Sequence, residues 1–278
     1  MKKYCLLALA ILSSSTFLSA NATAKSAGHG GSNAHWGYTG AEGPNNWGHL
    51  GYPLCAEGKN QSPVDITASA NTNLDKIEFH YASSAVNSTN NGHTVQFNYD
   101  AGSAITVGGK KYALLQFHFH APSENKINGK PYPMEMHLVH KSDDGRLAVV
   151  GVFFQEEKSD HKKSADSHDE TGNVSLNTVF GAFSGKTGLE LQANVKINAK
   201  DLLPHDSTYL HFMGSLTTPP CSEGVSWFVM KDPVEITTQQ LARFQAIYSN
   251  NARPAQAWNR RVPFERTSNS EGSHNSGH

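Results

Sequence analysis

Gln116-Phe117-His118-Phe119-His120 alternates aromatic and imidazole side chains, and that alternation decides how the chain folds. In an extended strand residues two apart point to the same face, so His118 and His120 look one way and Phe117 and Phe119 the other. Two imidazoles on one rigid face are half of a metal site; the phenylalanines behind them anchor that face to a core. Taken alone, the pair fits a surface accident or a hydrogen-bonded core as well. A second alternating stretch, Met134-Glu135-Met136-His137-Leu138-Val139-His140, is suited to lie beside the first and offers a third ligand in His137.

Three imidazoles from two neighbouring strands fill three of the four tetrahedral positions of zinc and leave the fourth to water. That open position separates a catalytic zinc from a closed structural one. Glu135 shares a face with His137, where it could close the fourth position or orient the His137 ring from behind, and Gln116 stands in the same relation to His118.

Outward from this pair the signals are mostly strands, at residues 76–81, 94–99 and 104–107. Gly108-Gly109 then turns the chain into one long alternating strand over 110–120. Asp144-Gly145 is a second turn, joining 135–141 to 147–155 as a hairpin. Ala148-Val149-Val150-Gly151-Val152-Phe153-Phe154 is nearly all apolar and reads as a central strand covered on both faces. Leu176, Val179, Phe180 and Phe183 follow helical spacing. A further helix starts at Thr237, where Thr237-x-x-Gln240 forms a capping box ahead of Leu241, Phe244, Ile247 and Tyr248. Residues 225–231 read as a strand between these helices. From His35-Trp36-Gly37-Tyr38 to Ile66 the chain is rich in Gly, Pro and Asn, with no helical periodicity, as expected of irregular chain wrapped over a core.

With 278 residues and neither repeats nor compositional breaks, one large β-rich domain is the economical count. The net charge is −1 and charges are dispersed, which argues against nucleic-acid or membrane-surface partners and for a small substrate. Met1-Lys2-Lys3, an apolar run from Leu6 to Leu12 and Ala22-Thr23-Ala24 read as a secretory signal over 1–24, cleaved near Ala20 or Ala24, with a buried N-terminal helix as the alternative. The apolar run is too short to span a bilayer. Residues 25–34 form a small, polar, flexible leader, 35–266 the domain, and 267–278 a polar tail expected to be disordered. The charged run 158–171, with His161 and His168, reads as a solvated loop. Cys5 leaves with the signal. Cys55 and Cys221 remain in a chain addressed to an oxidising compartment, periplasmic or extracellular, and a disulfide is the simplest reading, two separate buried thiols the other.

Seven segments together resemble the α-class carbonic anhydrases of secreted bacterial type. They are His-Trp-Gly-Tyr at 35–38, Gln-Ser-Pro-Val-Asp-Ile at 61–66, Asn-Asn-Gly-His at 90–93, Gln-Phe-His-Phe-His at 116–120, Glu-x-His-Leu-Val-His at 135–140, Gly-Ser-Leu-Thr-Thr-Pro-Pro at 214–220, and Asn-x-Arg-Pro-Ala-Gln at 251–256. The resemblance implies a large, mostly antiparallel twisted sheet of about ten strands with short peripheral helices. It implies one zinc ion on His118, His120 and His137, supported by Gln116, by Glu135 and by the backbone carbonyl of Asn251. The activity implied is reversible hydration of carbon dioxide to bicarbonate and a proton, by attack of zinc-bound hydroxide.

By the same resemblance Thr217 accepts the hydroxide hydrogen while donating its own to Glu124, and Val139, Val149, Leu216, Thr218, Val225 and Trp227 form the carbon dioxide pocket. His93 is then the proton shuttle to buffer, across waters ordered by Tyr38, Asn91 and Gln96. Secreted bacterial members also carry the disulfide that Cys55 and Cys221 suggest. Two departures stand out: the loop from Asn125 to Tyr132 is short, and Phe212 stands where vertebrate members have tyrosine. A zinc esterase and a non-enzymatic binding relative are the competing readings, the second weakened by the intact histidine triad. The expected assembly is a monomer or homodimer.

Overall fold

A computed structural model describes residues 34–157 and 174–266. The secretory signal, the leader up to Asn33, the charged run with its two histidines and the tail from Thr267 lie outside these residues. Among the described residues sixteen strands are present in chain order. The first nine are β1 (Asp65–Ile66), β2 (Ala70–Asn71), β3 (Glu78–His80), β4 (Ser84–Asn90), β5 (Val95–Asn98), β6 (Ala104–Val107), β7 (Lys110–His120), β8 (Lys126–Ile127) and β9 (Lys130–Pro131). The remainder are β10 (Met134–Lys141), β11 (Leu147–Glu156), β12 (Glu190–Ile197), β13 (Tyr209–Ser215), β14 (Glu223–Met230), β15 (Val234–Ile236) and β16 (Phe264–Arg266). Three α-helices accompany them: α1 (Leu54–Glu57), α2 (Val174–Gly181) and α3 (Thr238–Gln245).

Thirteen strands join one sheet, ten of them along the path β12-β4-β5-β7-β10-β11-β14-β13-β16-β2, with β3, β6 and β15 beside it. The sheet is mixed. Its pairings are antiparallel except β11 with β14 and β15, and β16 with β2. β14 and β15 pair in succession along one edge of β11, the strand whose unbroken apolar run suits burial on both faces, and both lie far enough along the chain to arrive by a crossover.

β7 departs from the strict alternation its sequence suggests. Its pairing with β10 skips a residue, with Val139 opposite Gln116 but His140 opposite Leu114. The extra residue, Leu115, is 44% exposed. This bulge resets the phase of the strand, so that Tyr112 and Leu114 enter the same core as Phe117 and Phe119 although Phe117 lies three positions after Leu114.

That core lies between the sheet and helices α2 and α3: Phe119 packs against Phe180 and Phe244 at ring distances of 5.9 and 6.0 Å. Phe117 and Phe119 are fully buried, each side chain contributing roughly 1.5–3 kcal/mol on leaving water. The histidine face of β7 is thus held from behind by two aromatic rings wedged under helices. α3 begins with the expected capping box, Gln240 N–H donating to Thr237 Oγ1 at 3.1 Å and Thr237 N–H to Gln240 Oε1 at 3.0 Å. Contrary to the reading of 35–66 as wholly irregular, this stretch contains α1 and two 3-10 turns, Gly40–Glu42 and Pro44–Asn46. Each is too short for an apolar period to register in sequence. Among the described residues no helix is long and apolar enough to cross a membrane.

Candidate metal centre

Register across neighbouring strands assembles the site. Gln96 on β5 stands opposite His118 on β7, which stands opposite His137 on β10, which stands opposite Gly151 on β11. Two residue pairs further along, His120 is opposite Glu135. Cross-strand partners share a face, so three histidines and their flanking polar residues converge, their ligand nitrogens all within 4.8 Å of one another. Gly151 leaves room for this. A Cβ at that position would lie 3.0 Å from Glu135 Oε1, tighter than ordinary contact.

His118 and His120 each have one nitrogen hydrogen-bonded from outside the cluster, and one nitrogen of His137 is in ion-pair contact with a carboxylate. His118 Nδ1 is 2.8 Å from Gln116 Oε1, His120 Nδ1 is 2.7 Å from the carbonyl oxygen of Asn251, and His137 Nε2 is 3.1 Å from Glu135 Oε1. The first two acceptors require N–H on the outward nitrogens of His118 and His120, and the Glu135 carboxylate favours the same on His137 Nε2, which leaves the opposite nitrogens as lone-pair donors. Glu135 is itself fixed: its Oε2 accepts the backbone N–H groups of Glu124 and Asn125, both at 2.9 Å, and Asn125 Nδ2 donates to Oε1 at 2.8 Å. Of the two roles the sequence left to Glu135, these contacts match orienting His137 from behind.

Burial holds all three imidazoles in the neutral, metal-binding form: His120 is pushed down to about 4, and His118 and His137 fall well below the ordinary histidine value. Burial also pushes Glu124 up to about 8 and Glu135 up to about 7. His120 Nε2, His137 Nε2 and Glu124 Oε2 are buried without a hydrogen-bond partner, the first and last 3.5 Å apart. A cation on the three ligand nitrogens satisfies the orphaned His120 Nε2 and compensates the buried carboxylates, so the residues fit a zinc ion both by donor type and by charge.

Thr217 lies buried in the turn after β13, and its side chain lowers the Glu124 pKa against the rise that burial causes. Glu124 Oε1 also accepts the backbone N–H of Arg253 at 2.8 Å. The Arg253 guanidinium, 2% exposed, donates to Gln61 Oε1, Ser62 O and Cys55 O at 2.7–2.9 Å and lies over the Trp47 ring. Cys55 is bonded to Cys221, four residues beyond Thr217, with a Cα separation of 5.1 Å. The disulfide and the buried arginine therefore brace the Thr217 turn and Glu124 from one corner. Sequence reading took Asn251 from the Asn-x-Arg-Pro-Ala-Gln segment and passed over Arg253; its signal was a charged residue inside a motif otherwise made of small and polar ones. Asn125, beside the assigned Glu124, was missed as well.

A cleft of about 120 Å³ opens over His118 and His120, which line it with Trp36, Tyr38, Asn91, His93, Thr94, Gln96, Gln116 and Thr218. His93 stacks on Trp36 with ring centres 3.6 Å apart and planes 8° from parallel. Burial lowers its pKa below the ordinary histidine value, and the charge of His35 lowers it further. Val149, Val225 and Trp227 form an apolar cluster against which Val139 and Leu216 pack, joined to the triad where the Trp227 ring meets His137 edge-on at 4.9 Å. Phe212 stacks parallel to Trp227 at 6.0 Å in that cluster.

A large mixed sheet that brings together three neutral histidines able to hold a metal ion, two of them lining a cleft, is the architecture of an enzyme site built on strands. The family model for eukaryotic-type carbonic anhydrase matches residues 42–265. A carbonic anhydrase of Neisseria gonorrhoeae is 43% identical over 247 residues, covering 87% of this chain and 92% of that protein. The α-carbonic anhydrase of Photobacterium profundum has a similar structure, with a TM-score of 0.75 and 41% identity over 82% of this chain and 99% of that one. The α-carbonic anhydrase of Thermovibrio ammonificans, solved with the inhibitor sulfanilamide, gives a TM-score of 0.77 and 40% identity over 83% and 99%. The chain belongs to the α-carbonic anhydrase family and is an enzyme of that class.

Proposed function

We propose that His118, His120 and His137 hold one zinc ion and that the protein catalyses reversible hydration of carbon dioxide to bicarbonate and a proton. The observation that carries this is the convergence of three neutral imidazoles, each with its outward nitrogen facing a separate acceptor. Zinc in such a set lowers the pKa of water on its free position to near 7, a figure whose reference case is carbonic anhydrase itself, and so supplies a nucleophile at neutral pH.

The chain's own residues aim and dry the reaction. A hydroxyl has one donor and two acceptor sites, so a Glu124 carboxylate that takes the Thr217 hydrogen turns the Thr217 oxygen toward the nucleophile's hydrogen and fixes where its lone pair points. Val139, Val149, Leu216, Val225 and Trp227 provide an apolar wall for carbon dioxide, with Thr218 in the cleft beside it. His93 accepts the proton produced and passes it to buffer, through waters ordered by Tyr38, Asn91 and Gln96. The same nucleophile can attack an acyl carbon, so weak esterase activity accompanies hydration. Residues 35–266 act as one domain, as a monomer or homodimer, in the periplasm or outside the cell; the N-terminal signal pattern and the Cys55–Cys221 bond support that location.

Stopped-flow carbon dioxide hydration, before and after treatment with a zinc chelator, tests the proposal. It requires activity that is lost on chelation and returns with zinc. Hydration that survives complete zinc removal overturns it.

A further inference from the structure

We propose that the side chain of Asn251 is a positioning residue for proton transfer: it ties the main chain of His93 to the end of the metal-binding strand β7 and so sets where the His93 ring stands relative to the metal centre. This rests on reading His93 as the proton acceptor of the cleft.

The pairing of β5 with β7 ends at Gln96 opposite His118. Continued in the same register it would put Thr94 opposite His120, but residues 91–94 close a turn instead, with Asn91 N–H donating to Thr94 O at 3.1 Å. Side chains take over where the ladder stops. Thr94 Oγ1 donates to Phe119 O at 2.6 Å. Asn251, fully buried and 158 residues beyond His93 in the chain, supplies the rest. Its Nδ2 donates to Phe119 O and to His93 O, both at 3.0 Å, and its Oδ1 accepts Ala121 N–H at 2.9 Å. Turned over, the carboxamide would set its oxygen against two carbonyls and its NH2 against a donor, so the network fixes its orientation.

The main chain of Asn251 grips the same strand end. Its N–H donates to Ala121 O at 3.2 Å and its carbonyl accepts from His120 Nδ1 at 2.7 Å. One residue thus holds a metal ligand through its backbone and His93 through its side chain. The remaining polar ties of the turn are internal to it: His93 N–H donates to Asn91 Oδ1 at 2.9 Å and Gly92 N–H to Asn90 Oδ1 at 3.0 Å. They shape the turn without placing it against β7, and Trp36 covers one face of the ring without fixing the backbone beneath. Transfer across ordered waters depends on how far the accepting base stands from the metal centre. Cutting the Nδ2 bond to His93 O lets the turn drift and lengthens that path, whereas the backbone carbonyl that serves His120 survives any substitution at 251.

The experiment compares the zinc-loaded wild-type enzyme with Asn251→Ala, His93→Ala and the double variant in stopped-flow hydration at low and high buffer. Asn251→Ala is expected to bind one zinc per chain, lower kcat severalfold in weak buffer with a much smaller change in kcat/KM, and recover with added imidazole. In the His93→Ala background the same substitution should lower kcat no further, because its effect runs through His93. If Asn251→Ala lowers kcat and kcat/KM together without rescue by imidazole, the side chain acts on the metal centre and the proposal is wrong. If His93→Ala slows turnover in weak buffer and Asn251→Ala does not, the proposal is wrong and the His93 reading stands; if His93→Ala has no effect, both are wrong. NMR of the isotope-labelled wild type tests the tie without any variant: the Asn251 carboxamide protons should exchange slowly and couple across hydrogen bonds to the carbonyl carbons of His93 and Phe119, and a freely exchanging carboxamide would overturn the proposal.

Discussion

Glu135→Gln tests whether the protein sets the tautomer of His137. Glu135 Oε2 accepts two backbone N–H groups, so an amide NH2 placed there would face two donors, each left unsatisfied at a cost of about 1–3 kcal/mol. The glutamine oxygen therefore takes that position, and its NH2 takes the place of Oε1, 2.8 Å from Asn125 Nδ2 and 3.1 Å from His137 Nε2. There it can donate only to His137 Nε2, which must give up its proton. The proton moves to His137 Nδ1, the nitrogen that lies 3.8 Å from Glu124 Oε2 and is needed as a metal ligand. Loss of such a supporting partner typically weakens metal binding 10- to 100-fold, about 1.4–2.8 kcal/mol. Competition with a chromophoric chelator measures the zinc affinity of each protein, and nitrogen NMR of the metal-free forms identifies the tautomer. Wild-type zinc affinity in Glu135→Gln, with His137 still protonated on Nε2, would refute the reasoning.

Replacing both cysteines, Cys55→Ala with Cys221→Ala, releases a loop of 166 residues, for which chain entropy gives about 5 kcal/mol as an upper figure. Chemical denaturation should show a large fraction of that loss, and an unchanged midpoint would mean the bond contributes nothing. Thr217→Ala should bind zinc as wild type does yet turn over carbon dioxide about 10²-fold more slowly, the usual scale for losing one positioned hydrogen bond in a reaction; metal analysis and stopped-flow separate the two, and wild-type turnover would remove Thr217 from the mechanism. His140, buried beside Tyr81 with its hydroxyl at 2.7 Å, is pushed down to about 3 by burial. The unfolded chain protonates it first, so its contribution to stability is full above about pH 6.5 and declines as pH falls toward 3, by up to about 1.4 kcal/mol per unit. His140→Gln should flatten the stability profile over that window relative to wild type, and identical profiles would contradict the assignment.

The face that holds the site was legible because period-two alternation is strict where it matters, at His118, His120, Glu135 and His137. The metal-binding character followed from ligand type and spacing, whereas Thr217, Glu124 and His93 came through family resemblance: they reach the site from turns and loops that local pattern does not place. β4 was hidden because its buried face carries Ser84, Ser88 and Asn90 beside Val86. Those polar groups are satisfied inside, Ser88 Oγ donating to Ala182 O and Asn90 Nδ2 to Ser184 O, and so mimic a loop in composition. β12 was hidden for the opposite reason, as an edge strand with little buried face. The β7 bulge is set by pairing with β10, information that one strand's own sequence does not contain. Arg253 escaped because a buried guanidinium is read from its partners, the Cys55, Gln61 and Ser62 groups nearly two hundred residues away along the chain.

The central claim is that one zinc ion held by His118, His120 and His137 makes this chain a carbon dioxide hydratase. Titrating metal-free protein with zinc while following both binding and hydration rate, in the wild type and in His118→Ala, tests it most directly. The account requires a rate that rises in proportion to bound zinc and saturates at one ion per chain, with His118→Ala losing tight zinc binding and activity together. Activity that is independent of zinc occupancy, or that persists at wild-type level in His118→Ala, would contradict it.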